Sequence, residues 1–374
     1  MAGIYIHIPF CKQACHYCNF YFSTSLANKQ QLLKALHKEI ELSTAYLAGE
    51  PIETIYFGGG TPTLLSTQEI LDIYEILNKH YNLSHLQEFT IEANPDDLDK
   101  AGIEKIRLLE QIGLNRLSIG VQSFFDEDLQ YMNRAHNSLH AQQCIKQVQD
   151  AGFSNITIDL IYGTPTMNDD KWRANLQTAF ALNIPHISSY ALTVEPKTTL
   201  HRKIKKGESK PVNEDQSANQ FTILVESMRQ AGYEQYEISN FAKPGKYAVH
   251  NTNYWRGKKY LGLGPSAHSF NIVGRRWNVA NNIGYINSLA QGILPFTEER
   301  LTHQQQVNEK IMTSLRTQWG LNSAELNLTD WLLIKENLLP VEPAFYTLIN
   351  GNLLLNDAGK LFADAISSQL FLEE

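Results

Sequence analysis

Ile4-Tyr5-Ile6-His7-Ile8-Pro9-Phe10-Cys11-Lys12-Gln13-Ala14-Cys15-His16-Tyr17-Cys18 is the stretch whose reading decides the fold. Ile4, Ile6 and Ile8 alternate with Tyr5 and His7, the period-two pattern of a strand, and Pro9 ends it. Cys11, Cys15 and Cys18 then follow within eight residues, so they lie on a loop that leaves the end of a first strand. This C-x3-C-x2-C spacing gathers three thiolates round one centre. A structural zinc site would need a fourth protein ligand, which His16 or His7 could supply. An iron–sulfur cubane normally takes four cysteines, so one held by three leaves an iron free for an exogenous molecule. Three metal-free thiols packing as small hydrophobes is the third reading. Cys144 lies in a helical stretch, 140–151, and reads as core.

Outward from this stretch the same alternation returns at 54–57, 88–92, 116–120, 155–160 and 186–191. Helical periodicity fills the intervals at about 29–46, 67–79, 99–111, 138–149 and 169–182. Gly113, Gly152 and Gly232 each stand where a helix needs a left-handed C-terminal cap before the chain turns back to the sheet. Strand and helix alternating six times means parallel strands joined by right-handed crossovers. The expected fold class is α/β, a partial (β/α)6 TIM-like barrel with its site at the carboxyl ends of the strands. Residues 1–200 form the barrel, 201–294 extend it, and 295–374 read as a small, mainly helical, winged-helix-like C-terminal domain.

Composition agrees with a folded protein. The chain has 374 residues, 43% of them in the AVILMFWYC set and 19% charged, with four cysteines in all. No run approaches the roughly 18 apolar residues of a membrane-spanning helix, and Met1 to Phe10 lack the form of a secretory leader. The expected location is cytoplasmic. With 32 Lys+Arg against 39 Asp+Glu the net charge is −7, which argues against a broad nucleic-acid surface.

Polar residues recur at the strand ends. The second strand runs into Gly58-Gly59-Gly60-Thr61-Pro62-Thr63, whose glycines let backbone approach a ligand closely. The third ends in Glu92, the fourth leads to Gln122 and Ser123, and the fifth carries Asp159. Arg134 follows the fourth and would meet a ligand carboxylate. Each has an ordinary alternative, as a turn, a helix cap or a solvated arginine; together on one rim they read as a polar pocket.

The motifs Tyr5 to Cys11, Cys15-His16-Tyr17-Cys18, Gly58 to Thr63, Glu92, Gly120-Val121-Gln122-Ser123 and Asp159-Leu160-Ile161-Tyr162-Gly163 resemble the radical S-adenosylmethionine (SAM) superfamily, in the branch around oxygen-independent coproporphyrinogen III dehydrogenase. The resemblance runs in order over most of the chain. It implies a barrel of the radical SAM type and a 4Fe-4S cluster on Cys11, Cys15 and Cys18, whose open iron takes the methionine end of SAM. It further implies that Gly59, Gly60 and Thr61 meet the methionine amino group. Glu92, Gln122, Arg134 and Asp159 would hold the rest of the cofactor, and Tyr5 would lie beside it. One-electron reduction would then yield a 5′-deoxyadenosyl radical.

Within that branch the dehydrogenase converts propionates to vinyl groups, whereas a sister group of haem chaperones binds haem and hands it to respiratory haem enzymes. Three departures favour the sister group. The dehydrogenase carries another cysteine two positions after the third, where this chain has Phe20. It also has an extension ahead of the first strand, and here the sequence starts almost on the strand. Finally, His250-Asn251-Thr252-Asn253-Tyr254-Trp255 matches the HNxxYW signature of the chaperone group. By this resemblance His250 is an expected iron ligand, and Tyr254 and Trp255 are flat apolar faces for the porphyrin. Arg256, Lys258 and Lys259 would be partners for propionates. The expectation is a haem chaperone that binds the cluster, SAM and haem and delivers haem to respiratory enzymes, with any membrane contact peripheral and room left for a homodimer. The dehydrogenase and a zinc-stabilised binding module are the alternatives.

Overall fold

Alternation along the first strand recurs in the five that follow, and it fixes which side of each strand meets the helices. The computed structural model describes residues 1–373. Its barrel half runs β1 (Ala2–Ile8), α1 (Lys29–Leu42), β2 (Ile52–Gly59), α2 (Thr67–His80), β3 (Glu88–Ala93), α3 (Lys100–Glu110), β4 (Arg116–Gln122), α4 (Asp126–Tyr131), α5 (Ser138–Asp150), β5 (Ile156–Tyr162), α6 (Asp169–Ala181) and β6 (His186–Ala191). Strands β1 to β6 pair in sequence order, all parallel. Their outward residues, among them Ile4, Ile6, Ile55, Phe57, Phe89, Ile91, Leu117, Ile119 and Ile158, are fully buried in the main core. Cys144 belongs to that core too, its thiol donating to the Ala141 carbonyl at 3.1 Å. Gly113, Gly152 and Gly232 adopt φ of 95°, 100° and 74°, the left-handed caps expected of them.

The inward residues are polar. Tyr5, Tyr56, Glu92, Ser118, Asp159 and Ser188 all face one cavity of ≈ 1430 Å³. A closed TIM barrel fills its centre with branched aliphatics; this one keeps a hollow, hydrogen-bonding interior.

The sheet grows at both edges without closing. The chain continues through α7 (Thr199–Lys205), α8 (Glu214–Gln230), β7 (Glu234–Glu237), β8 (Asn240–Ala242), α9 (Val249–Trp255), β9 (Tyr260–Leu263), β10 (His268–Phe270), β11 (Gly274–Asn278), α10 (Asn282–Ala290) and β12 (Phe296–Arg300). Strands β8 and β7 extend the β6 edge antiparallel, and β9 joins β1 in parallel before β10 to β12 continue outward. The main sheet thus reaches past residue 295, because β12 pairs with β11 along its whole length.

Beyond it, α11 (His303–Leu315), β13 (Leu321–Asn322), α12 (Leu328–Leu338), β14 (Tyr346–Ile349), β15 (Asn352–Leu355), α13 (Asp357–Lys360) and α14 (Ala363–Gln369) enclose a separate core. Their three-stranded antiparallel sheet, order β13-β15-β14, is the wing of a winged-helix-like unit. Arg316 ties this unit to the barrel through Glu237 at 3.3 Å, and its own Asp364 meets the same guanidinium at 2.7 Å.

One buried carboxylate joins the barrel to its extension. Glu39 on α1 accepts from the Gly264 N–H at 2.7 Å, the Asn278 amide at 2.5 Å and the Tyr285 hydroxyl at 2.5 Å, all more than 220 residues away in sequence. No cation faces it, so burial pushes its carboxyl up to about 7 although all three donors pull it down. Glu39→Ala leaves three buried donors unsatisfied and is expected to lower unfolding free energy by about 3 kcal/mol in a urea titration. Because the folded-state value is raised, the folded chain holds a proton that the unfolded chain releases near the ordinary glutamate value of 4.5. The wild-type stability relative to Glu39→Gln should therefore fall as pH rises from about 4.5 to about 7 and level off above that.

Candidate functional site

The cysteine loop leaves β1 at the carboxyl end of the barrel and is held there mainly by backbone. The Cys11 N–H donates to Ser23 O at 3.0 Å, His16 N–H to Met132 O at 3.0 Å, and the Asn133 amide to Ala14 O at 2.7 Å. Gly60 N–H donates to Ile8 O at 2.9 Å and Thr61 N–H to Phe10 O at 2.6 Å. A Cβ on Gly60 would stand 2.5 Å from Phe10 O, and one on Gly59, whose φ is 102°, would stand 2.5 Å from the His7 ring. The glycine run is thus demanded by the first strand and its loop, which it zips into place.

Arg134 carries the loop's electrostatics. Its Nη1 donates to Cys15 Sγ at 3.2 Å, while Nη2 donates to Asn94 Oδ1 and to Gly120 O, both at 2.6 Å. The buried Arg134 Nε has no partner. Burial pushes the thiols of Cys11 and Cys18 up to about 12 and about 11, and the neighbouring cysteines add to it. Such thiols stay neutral until a cation offsets the penalty, which is what a coordinated metal does. Of the residues offered for a zinc site's fourth place, His7 has both ring nitrogens bonded, Nε2 to Tyr21 O at 2.9 Å and Nδ1 to the Tyr5 hydroxyl at 3.2 Å, whereas His16 bonds Tyr131 O through Nδ1 at 2.9 Å and keeps Nε2 open. Among the described residues no three His, Cys, Asp or Glu side chains converge closely enough to hold one metal ion, so the three thiols suit a cubane, which binds each sulfur to a different iron.

Below the loop lie the other residues of the polar rim. Glu92 accepts from the Tyr56 hydroxyl at 2.8 Å and the Gly59 N–H at 3.1 Å. Burial raises its carboxyl to about 7 and that of Asp159 to about 6. Gln122 holds a left-handed φ of 72°, uncommon outside glycine, where β4 slips register against β5. Tyr5, Glu92, Gln122 and Asp159 line the large cavity together with Cys18. Thr61 accepts from the Asn94 amide at 3.1 Å. These side chains suit the amine and hydroxyl donors of a ligand, and Arg134 suits a carboxylate.

The HNxxYW residues lie deeper, on α9, which crosses the amino ends of the strands. Glu88 caps this helix by accepting from the N–H groups of Val249 at 2.8 Å and His250 at 2.9 Å. His250 is 2% exposed. Its Nδ1 bonds the Thr54 hydroxyl at 2.7 Å, its Nε2 the Tyr254 hydroxyl at 2.7 Å, and its ring stacks on Tyr56 at 5.1 Å. Burial lowers its pKa to about 3, so the ring is neutral. Asn253 and Lys258 both donate to Glu53, at 2.9 and 2.8 Å, and Lys259 pairs with Glu50. Trp255 and Arg256 turn toward the C-terminal unit: Arg316 lies 5.2 Å over the Trp255 ring, and Arg256 lies 4.3 Å over Trp319. Histidine and Tyr254 reach the large cavity; Trp255 does not line it.

Sequence reasoning missed a buried polar chain in the same interior. Arg116 donates to the Thr157 hydroxyl, Thr157 bonds His186 Nδ1 at 3.2 Å, and His186 Nε2 bonds the Tyr236 hydroxyl at 2.7 Å. The available signal was that most inward positions of β4, β5 and β6, among them Arg116, Ser118, Thr157, Asp159, His186 and Ser188, are polar, which a solid core would not tolerate.

A family model described as the Radical SAM superfamily matches residues 5–179. The protein named "Heme chaperone HemW" in Bacillus subtilis (strain 168) is 37% identical over 327 residues, which is 86% of this chain and 85% of that protein. Its namesake in Mycobacterium tuberculosis (strain ATCC 25618 / H37Rv) is 32% identical over 373 residues, 97% of this chain and 93% of that one. The chain belongs to the HemW family of the radical SAM superfamily. Among solved structures, the radical SAM enzyme coproporphyrinogen III oxidase (HemN) of Escherichia coli superposes with a TM-score of 0.85 at 23% identity, covering 99% of this chain and 90% of that one. That likeness shows the α/β radical SAM fold. For this family member, Gly60→Ala forces the loop carrying Cys11 off its backbone contacts. The expected result is about 1–3 kcal/mol lower stability and markedly less iron retained after anaerobic reconstitution; wild-type iron content would contradict it.

Proposed function

We propose that this protein is a haem chaperone that holds a 4Fe-4S cluster, SAM and haem, and passes haem to respiratory haem enzymes. The observation that carries the reading is the single cavity of ≈ 1430 Å³ that extends from Cys18 and Phe20, past Glu92 and Asp159, to His250, Tyr254 and Tyr260. Ligand pockets of about 300–1,000 Å³ hold one drug-sized molecule, so this one has room for SAM and a tetrapyrrole together.

Cys11, Cys15 and Cys18 would bind the cluster, and Gly59, Gly60 and Thr61 would present backbone to the methionine end of SAM. Arg134 would take the carboxylate while steadying Cys15. Glu92, Gln122 and Asp159 would take the polar groups further in, with Tyr5 packed alongside. When bound, the cluster and SAM supply one-electron chemistry. The chain's own residues position the two. Phe20, 66% exposed on the cavity wall two residues after Cys18, offers an apolar surface where the dehydrogenase motif carries a thiol. His250 and Tyr254, which reach the cavity, would brace the haem side, whereas Trp255, turned toward the C-terminal unit, would not meet the porphyrin as the resemblance implies. No helix among the described residues is long and apolar enough to cross a membrane, so delivery to a membrane enzyme would be by peripheral contact or through a partner; a cytoplasmic location accords with this.

Anaerobically reconstituted protein should bind haem with a defined Soret band and leave coproporphyrinogen III unconverted in the presence of reductant and SAM. Formation of protoporphyrinogen IX would instead establish the dehydrogenase.

A further inference from the structure

The haem reading leaves open which side chain meets the iron, and His250 is poorly placed for it. Both of its ring nitrogens are already hydrogen-bonded at 2.7 Å, and one of those partners, Thr54, lies on a barrel strand. A Cβ added to Gly3 would stand 3.2 Å from its ring, so the backbone of β1 packs directly against it. To ligate iron through either nitrogen, His250 would have to give up one of these bonds and shift within this packing.

A second histidine meets neither obstacle. His268 opens β10 and is exposed, and its imidazole has no hydrogen-bond partner among the described residues. In the sheet register His268 pairs with Trp277, Phe270 pairs with Arg275 on one side and with Tyr260 on the other, and Tyr260 pairs with Gly3 of β1. Register partners project from the same face. Tyr260, Phe270, His268, Arg275 and Trp277 therefore share one face, continuous with the hollow side of β1. The His268 and Trp277 rings stack at 6.4 Å with 27° between planes, Tyr260 and Phe270 lie 6.3 Å apart, and Tyr254 meets Tyr260 edge-on at 4.5 Å. Three strands at the usual spacing span about 10 Å, the width of a porphyrin ring.

His268 also stands where two cavities meet. With Ser266 it lines both the large one and a neighbouring one of ≈ 600 Å³ bounded by Trp277, Val279, Gly284 and Phe296. Val279 and Ile283, beside that second hollow, are exposed aliphatics. An accessible imidazole flanked by flat rings at the junction of two hollows is the chemistry that an iron porphyrin needs on one face.

We propose that His268 is the protein ligand to haem iron, with the porphyrin resting on the ring face of β9 to β11. His250 then acts as a positioning residue: it fixes α9 and Tyr254, and through Tyr254 the Tyr260 ring. Arg275, on the same face and paired with Glu299 at 3.3 Å and Glu309 at 3.0 Å, is the nearest cation for a propionate.

This rests on the haem-chaperone reading, and a hemin titration of the reconstituted full chain separates the two. Wild type, His268→Ala and Trp277→Leu are titrated and followed by Soret position and affinity, with iron content and far-UV circular dichroism as checks on folding. His268→Ala should lose the wild-type Soret position and bind at least ~10-fold more weakly, and added imidazole should restore the spectrum. Trp277→Leu should keep the Soret position while binding more weakly. If the wild type binds and His268→Ala matches it in both spectrum and affinity, the ligand assignment is overturned and the chaperone reading stands. Loss of the spectrum without imidazole rescue also overturns it, since a purely structural role would look like that. No binding by the wild type overturns both.

Discussion

The arrangement depends on one constraint: each of six parallel strands presents aliphatic side chains to the helices and polar ones to the barrel axis. The outward set, from Ile4 and Ile6 to Leu160, builds the main core. The inward set cannot pack as a core, because a buried polar group without a partner costs more than its neighbours return. The interior is therefore either hydrogen-bonded to itself or kept hollow for a ligand, and this barrel does both. Toward the amino ends of the strands, Glu88, Arg116, Thr157 and His186 are tied into chains closed off by α9 and Tyr236. Toward the carboxyl ends, Glu92 and Asp159 are half-buried carboxyls that line the open cavity, with no cation among the described residues bonded to them.

The cysteine loop belongs to the open end. It has little regular structure of its own, and outside contacts set its place, among them the glycine run of β2, the segment around Asn133, Arg134, the Leu200 N–H that donates to His16 O at 2.7 Å, and the Lys12–Asp96 pair at 3.1 Å. Arg134 links two demands that would otherwise be separate, since one guanidinium touches a cysteine sulfur and also the β3 and β4 ends.

Much of this was legible in the sequence, for reasons that residues make plain. Strands such as 116–120 and 155–160 have one apolar face, so period two appears, and Gly113 and Gly152 mark their preceding helix ends because a left-handed cap turns the chain there. The rim residues Glu92, Gln122 and Asp159 were legible as strand ends and are found on one cavity. β12 was not legible: its residues 297–300 are exposed, so no buried face imposes a pattern, and its register is set by pairs such as Arg276–Glu298 at 3.1 Å. The packing of His250 was equally hidden: Tyr254 is a local partner four residues on, but Thr54 and the Glu88 that caps α9 are brought to it by tertiary structure. A single histidine such as His268 carries no spacing signal at all; only the register of β9, β10 and β11 collects its aromatic neighbours.

The central claim is that three cysteines at the mouth of a polar barrel hold a cluster with one iron open to SAM. Electron paramagnetic resonance of the anaerobically reconstituted, dithionite-reduced protein tests it most directly, with and without SAM. A reduced 4Fe-4S signal whose g-values shift when SAM is added is the expected result. A cluster signal indifferent to SAM, or a colourless protein that binds zinc in place of iron, would contradict it.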